Sequence, residues 1–285
     1  MKPAAFEYHA PTTIDEAIEL LSEHAQNDGR ILAGGQSLMP TMAFRLARPT
    51  HLIDINDIND LNTLKEEDNT LQIGATVRHA KFHEPVCSGV LGNLLTDVVR
   101  NIAHYPIRQR GTFCGSIAHS DPASEWCLIA ATLDATMVAV SKKGDRHIAA
   151  AEFFETIMTT SLEQDELLSE VRIPLLSNDT VYGFEEFSRR AGDFAISMTL
   201  VTYRLESGKI INPHVGIGGA EDRPRRISAA EDELLDQLPN SETFLKAAKA
   251  ASEFIDPMED HATTAQYRRD LTETLVRRAL EKTIV

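Results

Sequence analysis

Apolar residues in the first sixty positions recur in two alternating rhythms, and this alternation most constrains how the chain can fold. Residues 6–8 form a short extended run. Thr13 then opens a capping box: its hydroxyl can accept from the first helical turn, and Glu16 stands three residues on to reach back. Ala17, Ile18, Leu20, Leu21 and Ala25 follow at spacings that place them on one apolar helix stripe. The stripe stops at 27–29, which ends in glycine; 30–32 reads as a strand, 33–37 as a glycine-containing turn, 38–46 as a second helix and 52–55 as a further strand. This order predicts a compact β-α-β-α-β unit.

A polar stretch, 65–69, separates that unit from a second one. Residues 71–74 read as a strand, and 91–103 as a helix with Leu91, Leu94, Leu95, Val98 and Ile102 on one face. A second glycine loop occupies 111–116, 126–133 is helical, and 136–140 with 147–149 suggests a hairpin turning at Lys143-Gly144-Asp145. A strand at 167–173 is closed by Pro174, and 176–180 reads as a linker. Beyond it the rhythm changes to three strands, 181–187, 195–205 and 209–217, followed by a helical tail from about 229 to 282 broken near Pro239 and Pro257. The expected fold class is α+β: two α/β subdomains (about 1–60 and 61–175), then a small domain at 180–285 with a three-stranded antiparallel sheet and helices.

Acidic residues outnumber basic ones by 43 to 28, a net charge of −15. A nucleic-acid partner would require a basic stripe to displace counterions from phosphates. The short basic clusters at 223–226, 268–269 and 277–278 read instead as solvated helix and loop faces. Cys87, Cys114 and Cys127 are widely spaced with no C-x-x-C pair, too few for an iron–sulfur cluster held by this chain alone. No apolar stretch approaches the roughly 20 residues of a membrane span, and the first residues lack a signal-peptide pattern. The expected location is the cytoplasm.

Two loops are suited to phosphate. The first, Leu32-Ala33-Gly34-Gly35-Gln36-Ser37 ahead of Leu38, follows a strand and opens a helix, so its glycines let the backbone approach a ligand with N–H groups pointing outward. It is neither a Walker loop nor a G-x-G-x-x-G fingerprint. The second is Arg108-Gln109-Arg110-Gly111-Thr112-Phe113-Cys114-Gly115-Ser116, in which two arginines flank small and hydroxylated residues. Either alone also reads as a plain turn; together, in consecutive α/β units, they suit a dinucleotide held in a cleft. The Lys and Mg²⁺-binding pattern of phosphoryl transfer is missing, so the loops argue for holding a cofactor rather than splitting one.

The stretch A-G-G-Q-S-L-M-P-T-M-A-F-R-L-A-R-P from Ala33, with I-D-I after it, resembles the first flavin loop of the FAD-binding medium subunits of the molybdenum hydroxylases, the family of carbon monoxide dehydrogenase and xanthine dehydrogenase. I-R-Q-R-G-T-F-C-G-S-I-A-H-S-D-P-A-S-E from Ile107 resembles that family's second flavin loop. L-L-S-E-V-R-I-P from Leu167, S-R-R-A-G-D-F-A from Ser188 and Y-R-R-D-L-T-E-T-L-V-R-R-A-L from Tyr267 match in the same order, so the resemblance covers nearly the whole chain.

The resemblance implies a PCMH-type FAD-binding domain and FAD as the cofactor. By position, Ala33, Gly34, Gly35, Gln36 and Ser37 hold the pyrophosphate with backbone amides, and Leu32 and Leu38 flank them as cofactor-binding residues. Thr112, Gly115 and Ser116 meet the phosphates and ribityl chain from the other side, with Gly111 and Ala118 also among the cofactor-binding residues. Ile102, Ala103 and Ile107 lie near the flavin ring, Leu167 and Leu168 cover the adenine or ring edge, and Glu125 stands where the family has Asp, within reach of a cofactor hydroxyl. Two departures stand out. Phe113 and Cys114 replace part of a Thr-Ile-Gly-Gly pattern, and Glu186 sits near a place where the family often has Lys, which would leave negative charge on the ring less stabilised. The implied partners are a small subunit with two [2Fe–2S] clusters and a large molybdenum-cofactor subunit, assembled as a dimer of heterotrimers. The chain would relay electrons from the clusters to an external acceptor and needs no catalytic acid or base.

Rival readings of single residues are weaker. His79 and His83, four apart, read as a helix-surface pair without a third zinc ligand, so no metal site is expected. His119-Ser120-Asp121 lacks the frame of a nucleophile elbow. Cys114 reads as a buried, inert thiol, and Tyr105 as packing or flavin contact alike. Two other functions stay open: a self-contained FAD oxidase or dehydrogenase, for which the last hundred residues look too small a cap, and a non-enzymatic nucleotide-binding module.

Overall fold

The structure is a computed structural model and describes residues 1–284. In chain order its elements are β1 (Glu7–His9), α1 (Ile14–His24), β2 (Gly29–Leu32), α2 (Leu38–Ala43), β3 (His51–Asp54), β4 (Leu64–Glu67), β5 (Thr70–Gly74), α3 (Gly89–Val98), α4 (Tyr105–Arg108), α5 (Phe113–His119), α6 (Glu125–Thr132), β6 (Thr136–Ser141), β7 (Gly144–Ala149), α7 (Ala150–Phe153), β8 (Phe154–Thr156), β9 (Thr159–Thr160) and β10 (Leu167–Pro174). The remainder comprises β11 (Val181–Phe187), β12 (Ser197–Glu206), β13 (Lys209–Gly218), β14 (Arg225–Arg226), α8 (Ser228–Leu234), α9 (Ser241–Phe254) and α10 (Ala265–Glu281).

The first three strands form a parallel sheet in the order β1-β3-β2. Parallel strands need crossovers, and α1 and α2 supply them. Thr13 caps α1 by accepting from the Glu16 amide, while the Glu16 carboxylate reaches one residue further back than a strict capping box, to the Thr12 amide at 2.8 Å. Ala17 and Leu21 bury the helix stripe against Ile53. The helix expected over 38–46 is shorter. Arg45 takes a left-handed φ of 60°, and the Leu46 and Ala47 amides turn back onto the Thr41 carbonyl.

The second sheet is antiparallel, in the order β4-β5-β10-β6-β7. The polar stretch at 65–69 is not a separator: most of it is edge strand β4 and its turn into β5. Asp68 and Asn69 both have positive φ, 49° and 59°, which matches the twist of a tight two-residue hairpin. The helix expected over 91–103 ends at Val98. The chain then makes a tight turn in which Ala103 has φ 42° and the Arg108 guanidinium donates to the Ile102 and Ala103 carbonyls at 2.6 and 3.0 Å.

The third sheet, β11-β12-β13-β14, is antiparallel with α8, α9 and α10 on one face. The expected three strands are joined by a fourth of two residues, β14. Its other face meets α6, all eight residues of which are buried. Gly216 on β13 allows this approach, because a side chain there would collide with Thr132 and come within 3.0 Å of Leu128. A helix buried all round has no polar face, which is why α6 carries no amphipathic period.

The basic clusters are only partly solvated. Arg268 is 6% exposed, donates to the Ile196 and Gly219 carbonyls at 2.7 Å each and pairs with Asp260 at 2.8 Å. Arg225 and Arg226 pair with Glu221 and Glu231, each at 2.8 Å. In these places the fold uses arginine to satisfy carbonyls and carboxylates its loops leave unpaired.

Candidate functional site

A cavity of about 390 Å³ opens where β2 and β3 end, lined by Leu32, Ala33, Gly34, Gly35, Gln36, Met39, Pro40, Ala43, Asp54, Asn56 and Arg110. Its position follows from the parallel sheet, whose strands β2 and β3 both deliver their next residues to the same end. Gly35 has φ +71°, a conformation that disfavours a β-carbon. Gly34 faces the second loop: a β-carbon there would collide with the Arg110 carbonyl and lie 2.7 Å from the Gly111 Cα. The two glycine loops therefore touch through backbone. Among the described residues, no backbone carbonyl accepts from the amides of 34–38, so these donors remain available to an anionic ligand.

The rim is fixed by polar side chains. Asn56 Nδ2 donates to the Ala33 carbonyl at 2.8 Å, and the Arg78 guanidinium bridges the Asn56 side chain to the Arg110 carbonyl. Tyr8 donates to Asp54 at 2.7 Å. Burial, and then the neighbouring charge of Arg110, lower the pKa of Arg78. Two guanidinium groups close enough to disturb each other outnumber the one carboxylate at this rim, Asp54, on a chain of net charge −15. Such a rim suits a pyrophosphate. Asp54 falls in the I-D-I that follows the first loop, whereas Asn56 and Arg78 belong to no motif in the sequence; only the position of Asn56 just after a parallel strand points to it.

The second loop is the start of α5. The Thr112 hydroxyl accepts from the Gly115 amide at 3.1 Å, and a β-carbon on Gly115 would lie 2.5 Å from that hydroxyl. Phe113 and Cys114 point into the core, with the Cys114 thiol directed at the Ile73 carbonyl at 3.2 Å, while Ser116 is half-buried and Ala118 exposed. The substituted loop residues thus face away from solvent. Burial pushes all three thiols up from their ordinary value.

His79 is not a surface histidine. It is 4% exposed, accepts at Nδ1 from the Trp126 indole at 2.9 Å, and packs against Gly111, where a β-carbon would come within 2.6 Å of its ring. Burial above all, then the charges of Arg108 and Arg78, push its pKa down to about 3. His83 lies against Arg108 Nε at 3.1 Å.

Ile102, Ala103 and Ile107 lie on the turn and short helix that Arg108 pins, away from the first-loop cavity lining. The loop after β11 comes up to this turn: a β-carbon on Gly192 would lie 2.4 Å from the His104 ring. Glu125 opens α6 and is 8% exposed. Glu186 lies on β11, with its Oε2 buried and without a hydrogen-bond partner. Burial raises the pKa of both carboxyls, and the charge of Glu125 adds to the shift at Glu186. Leu167 and Leu168, 2% and 4% exposed, pair with Val140 and Ala139 in the sheet core.

Comparison with known proteins decides what this arrangement belongs to. Residues 4–176 match the FAD binding domain in molybdopterin dehydrogenase, and residues 182–283 match the CO dehydrogenase flavoprotein C-terminal domain. The chain belongs to the FAD-binding medium subunits of the molybdenum hydroxylases. This medium subunit is 36% identical to the caffeine dehydrogenase subunit beta of Pseudomonas sp. (strain CBB1), over 99% of this chain and 96% of that one. It is 35% identical to the nicotine 6-hydroxylase medium subunit of Paenarthrobacter nicotinovorans, over 98% of both chains. Among solved structures, carbon monoxide dehydrogenase from Hydrogenophaga pseudoflava matches with a TM-score of 0.95 at 34% identity, over 99% of this chain and 98% of that one. The cofactor of the medium subunit is FAD, and its relatives are dehydrogenase subunits of multi-subunit complexes. Among the described residues no helix is long and apolar enough to cross a membrane.

Proposed function

We propose that this medium subunit is an electron relay. When bound, FAD supplies a carrier between [2Fe–2S] clusters on a small partner subunit and an external acceptor, while substrate is hydroxylated at the molybdenum cofactor of a large partner subunit. One observation carries the reading: chains similar to this one over nearly their whole length bear names with chemically unrelated substrates, caffeine and carbon monoxide among them. A fold shared across such substrates supports substrate choice on another chain. The three buried, dispersed cysteines support clusters held by a partner. The assembly proposed is a dimer of heterotrimers in the cytoplasm.

In this reading, the residues of the chain bind and orient. The amides of 34–38 and the Arg110 side chain hold the pyrophosphate, and the close backbone approach of Gly34 to Gly111 keeps the two loops together at one site. Gly115 and Ser116 approach from α5. Ile102, Ala103 and Ile107 supply an apolar wall for the ring, and Glu125 accepts from a cofactor hydroxyl. Leu167 and Leu168 act through the sheet that supports the site.

The test is reconstitution. The FAD-loaded chain alone is expected to show no turnover of the substrate of the complex, and adding the iron–sulfur and molybdenum subunits is expected to restore substrate-driven bleaching of the flavin absorbance. Robust turnover by the isolated chain would assign it instead to self-contained flavoenzymes.

A further inference from the structure

Three histidines far apart in sequence meet on one face of the parallel sheet, outside the cavity lining. His9 ends β1, His24 ends α1 and His51 begins β3, and one nitrogen from each lies within 4.8 Å of the others. His9 Nε2 and His51 Nδ1 are 3.1 Å apart, and the rings of His24 and His51 stack with centroids 3.8 Å apart. All three are half-buried, and the Glu7 carboxylate lies 3.7 Å from His51 Nδ1. We propose that these histidines form a binding site for a divalent transition metal of the zinc class, which clasps β1, α1 and β3 together.

The fold assembles the cluster from pairing alone. In the parallel register Glu7 stands beside His51 and His9 beside Ile53, so Glu7, His9 and His51 share one face of the sheet. That face is the one α1 covers, since Ile53 is buried with Ala17 and Leu21, and the end of α1 brings His24 down onto it. Gly29 permits the close return of the chain: a β-carbon there would lie 2.8 Å from the His24 carbonyl.

The spacing fits metal chemistry. Zinc–imidazole bonds of about 2.0–2.1 Å put two tetrahedral ligand nitrogens about 3.3 Å apart, close to the His9–His51 separation. His24 joins them by rotating its ring out of the stack, a movement open to a half-buried side chain at a helix end. Three imidazoles with an adjacent carboxylate or water complete a four-coordinate set, and the carboxylate offsets part of the cation's charge. A purely structural stack of neutral rings would pack equally well, but it would show no affinity for a metal. Gly29 pairs with His51 and Leu32 with Asp54, so His51 lies about 10 Å along β3 from the cavity end, while His9 stands beside Ile53; none of the three histidines lines the cavity. It is a separate site from the one assigned to FAD.

The experiment uses the tag-free full chain, treated with chelator and titrated with ZnCl₂ in a calorimeter, with CoCl₂ as a spectroscopic probe. One Zn²⁺ per chain with micromolar or tighter affinity is expected, together with the intense visible bands of low-symmetry Co²⁺. His24→Ala and His51→Ala should each weaken binding at least about tenfold, in line with the loss of one of three ligands. Should His51→Ala fail to fold, His9→Gln and His24→Gln remove a ligand while conserving much of the packing. His261→Ala, at an exposed site elsewhere, should bind like the wild type. Absence of stoichiometric Zn²⁺ binding by the wild type, or equal affinity in the folded His9 and His24 variants, would overturn the assignment.

Discussion

Trp126 Nε1 donates to His79 Nδ1 at 2.9 Å, a hydrogen bond between two buried rings that ties α6 to the second glycine loop. Because Nδ1 accepts, the neutral ring carries its proton on Nε2, the atom that faces Gly111. The His79 amide also donates to the Gly111 carbonyl at 3.0 Å. One histidine thus holds the loop by backbone and by ring together, and cannot be charged without unpairing the indole.

That arrangement sets an acid limit on stability. The folded-state pKa of His79 is lowered, to about 3, so the unfolded chain binds the extra proton below about 6.5 and the folded chain does not. The contribution is intact above about pH 6.5 and is lost as pH falls toward 3, amounting in full to a few kcal/mol, about 1.4 per pKa unit. Denaturant titrations of the wild type and His79→Gln should converge as pH drops from 7 to 4, since glutamine does not titrate. Parallel curves would show that His79 is not buried neutral.

The glycine loops test the cofactor site. A β-carbon at Gly34 meets backbone on the facing loop, which cannot yield as a side-chain tip can. Gly34→Ala should therefore part the loops and at least halve the FAD-to-protein ratio after purification. Gly35→Val adds a β-branched side chain at positive φ, costing about 1–2 kcal/mol of local strain, and should act in the same direction with far-UV dichroism unchanged. Full FAD content in both variants would remove this loop from the site.

How much of the molecule is legible in the sequence depends on range. The α1 cap, the glycine loops and the β11–β13 meander are local patterns, and each appears within a residue or two of its expected place. β4 escapes a reading by periodicity because an edge strand carrying Lys65, Glu66 and Glu67 has no buried face to impose alternation; only its Asp-Asn turn signals a hairpin. His79 reads as a surface residue in the sequence because its partner, Trp126, lies 47 positions away. The cationic rim of Arg78 and Arg110 and the histidines of the parallel sheet have the same origin: pairing between distant segments brings them together.

The carboxyls of Glu125 and Glu186 set an opposite, alkaline limit. Burial raises both, so the unfolded chain releases these protons at a lower pH than the folded one. Their penalty is absent below the ordinary glutamate value of about 4.5 and grows as pH rises toward the folded values. Glu186→Gln keeps the shape and removes one charge. The apo-protein carrying it should be more stable than wild type at pH 8, with the advantage shrinking toward pH 5. A variant less stable at pH 8 would mean that Glu186 is ionised and paired in the folded chain.

Thiol chemistry gives a direct check on core packing. Cys114 and Cys127 are 2% and 0% exposed and Cys87 is 7% exposed, and burial raises all three thiols away from the reactive thiolate. A chromogenic disulfide reagent should therefore label none of them over minutes in the native chain at pH 7.5, and all three in guanidinium. Rapid native labelling of Cys114 would place its sulfur on the loop surface rather than against the Ile73 carbonyl.

Arg268 joins the start of α10 to the C-terminal sheet through a single guanidinium. Nη1 donates to the Ile196 carbonyl ahead of β12 and to the Gly219 carbonyl after β13, and Nη2 pairs with Asp260. Two carbonyls at the mouth of adjacent strands would lose their donor on truncation, and Asp260, whose carboxyl is held down to about 2 by the Ala262 amide first and by Arg268 among its other partners, would lose its cation. Leaving two carbonyls without their donor costs about 1–3 kcal/mol each, and the exposed Asp260 adds little to that loss, so Arg268→Ala should lower the urea midpoint sharply. Arg268→Lys restores the charge but cannot present a planar fork to three acceptors, and should recover less than half of the loss. Because β12 continues the sheet of β11, which carries Glu186, a loosened α10 should also lower FAD retention on heating. Equal midpoints for wild type and Arg268→Ala would show that these carbonyls are satisfied by water and that α10 is held by its apolar face alone.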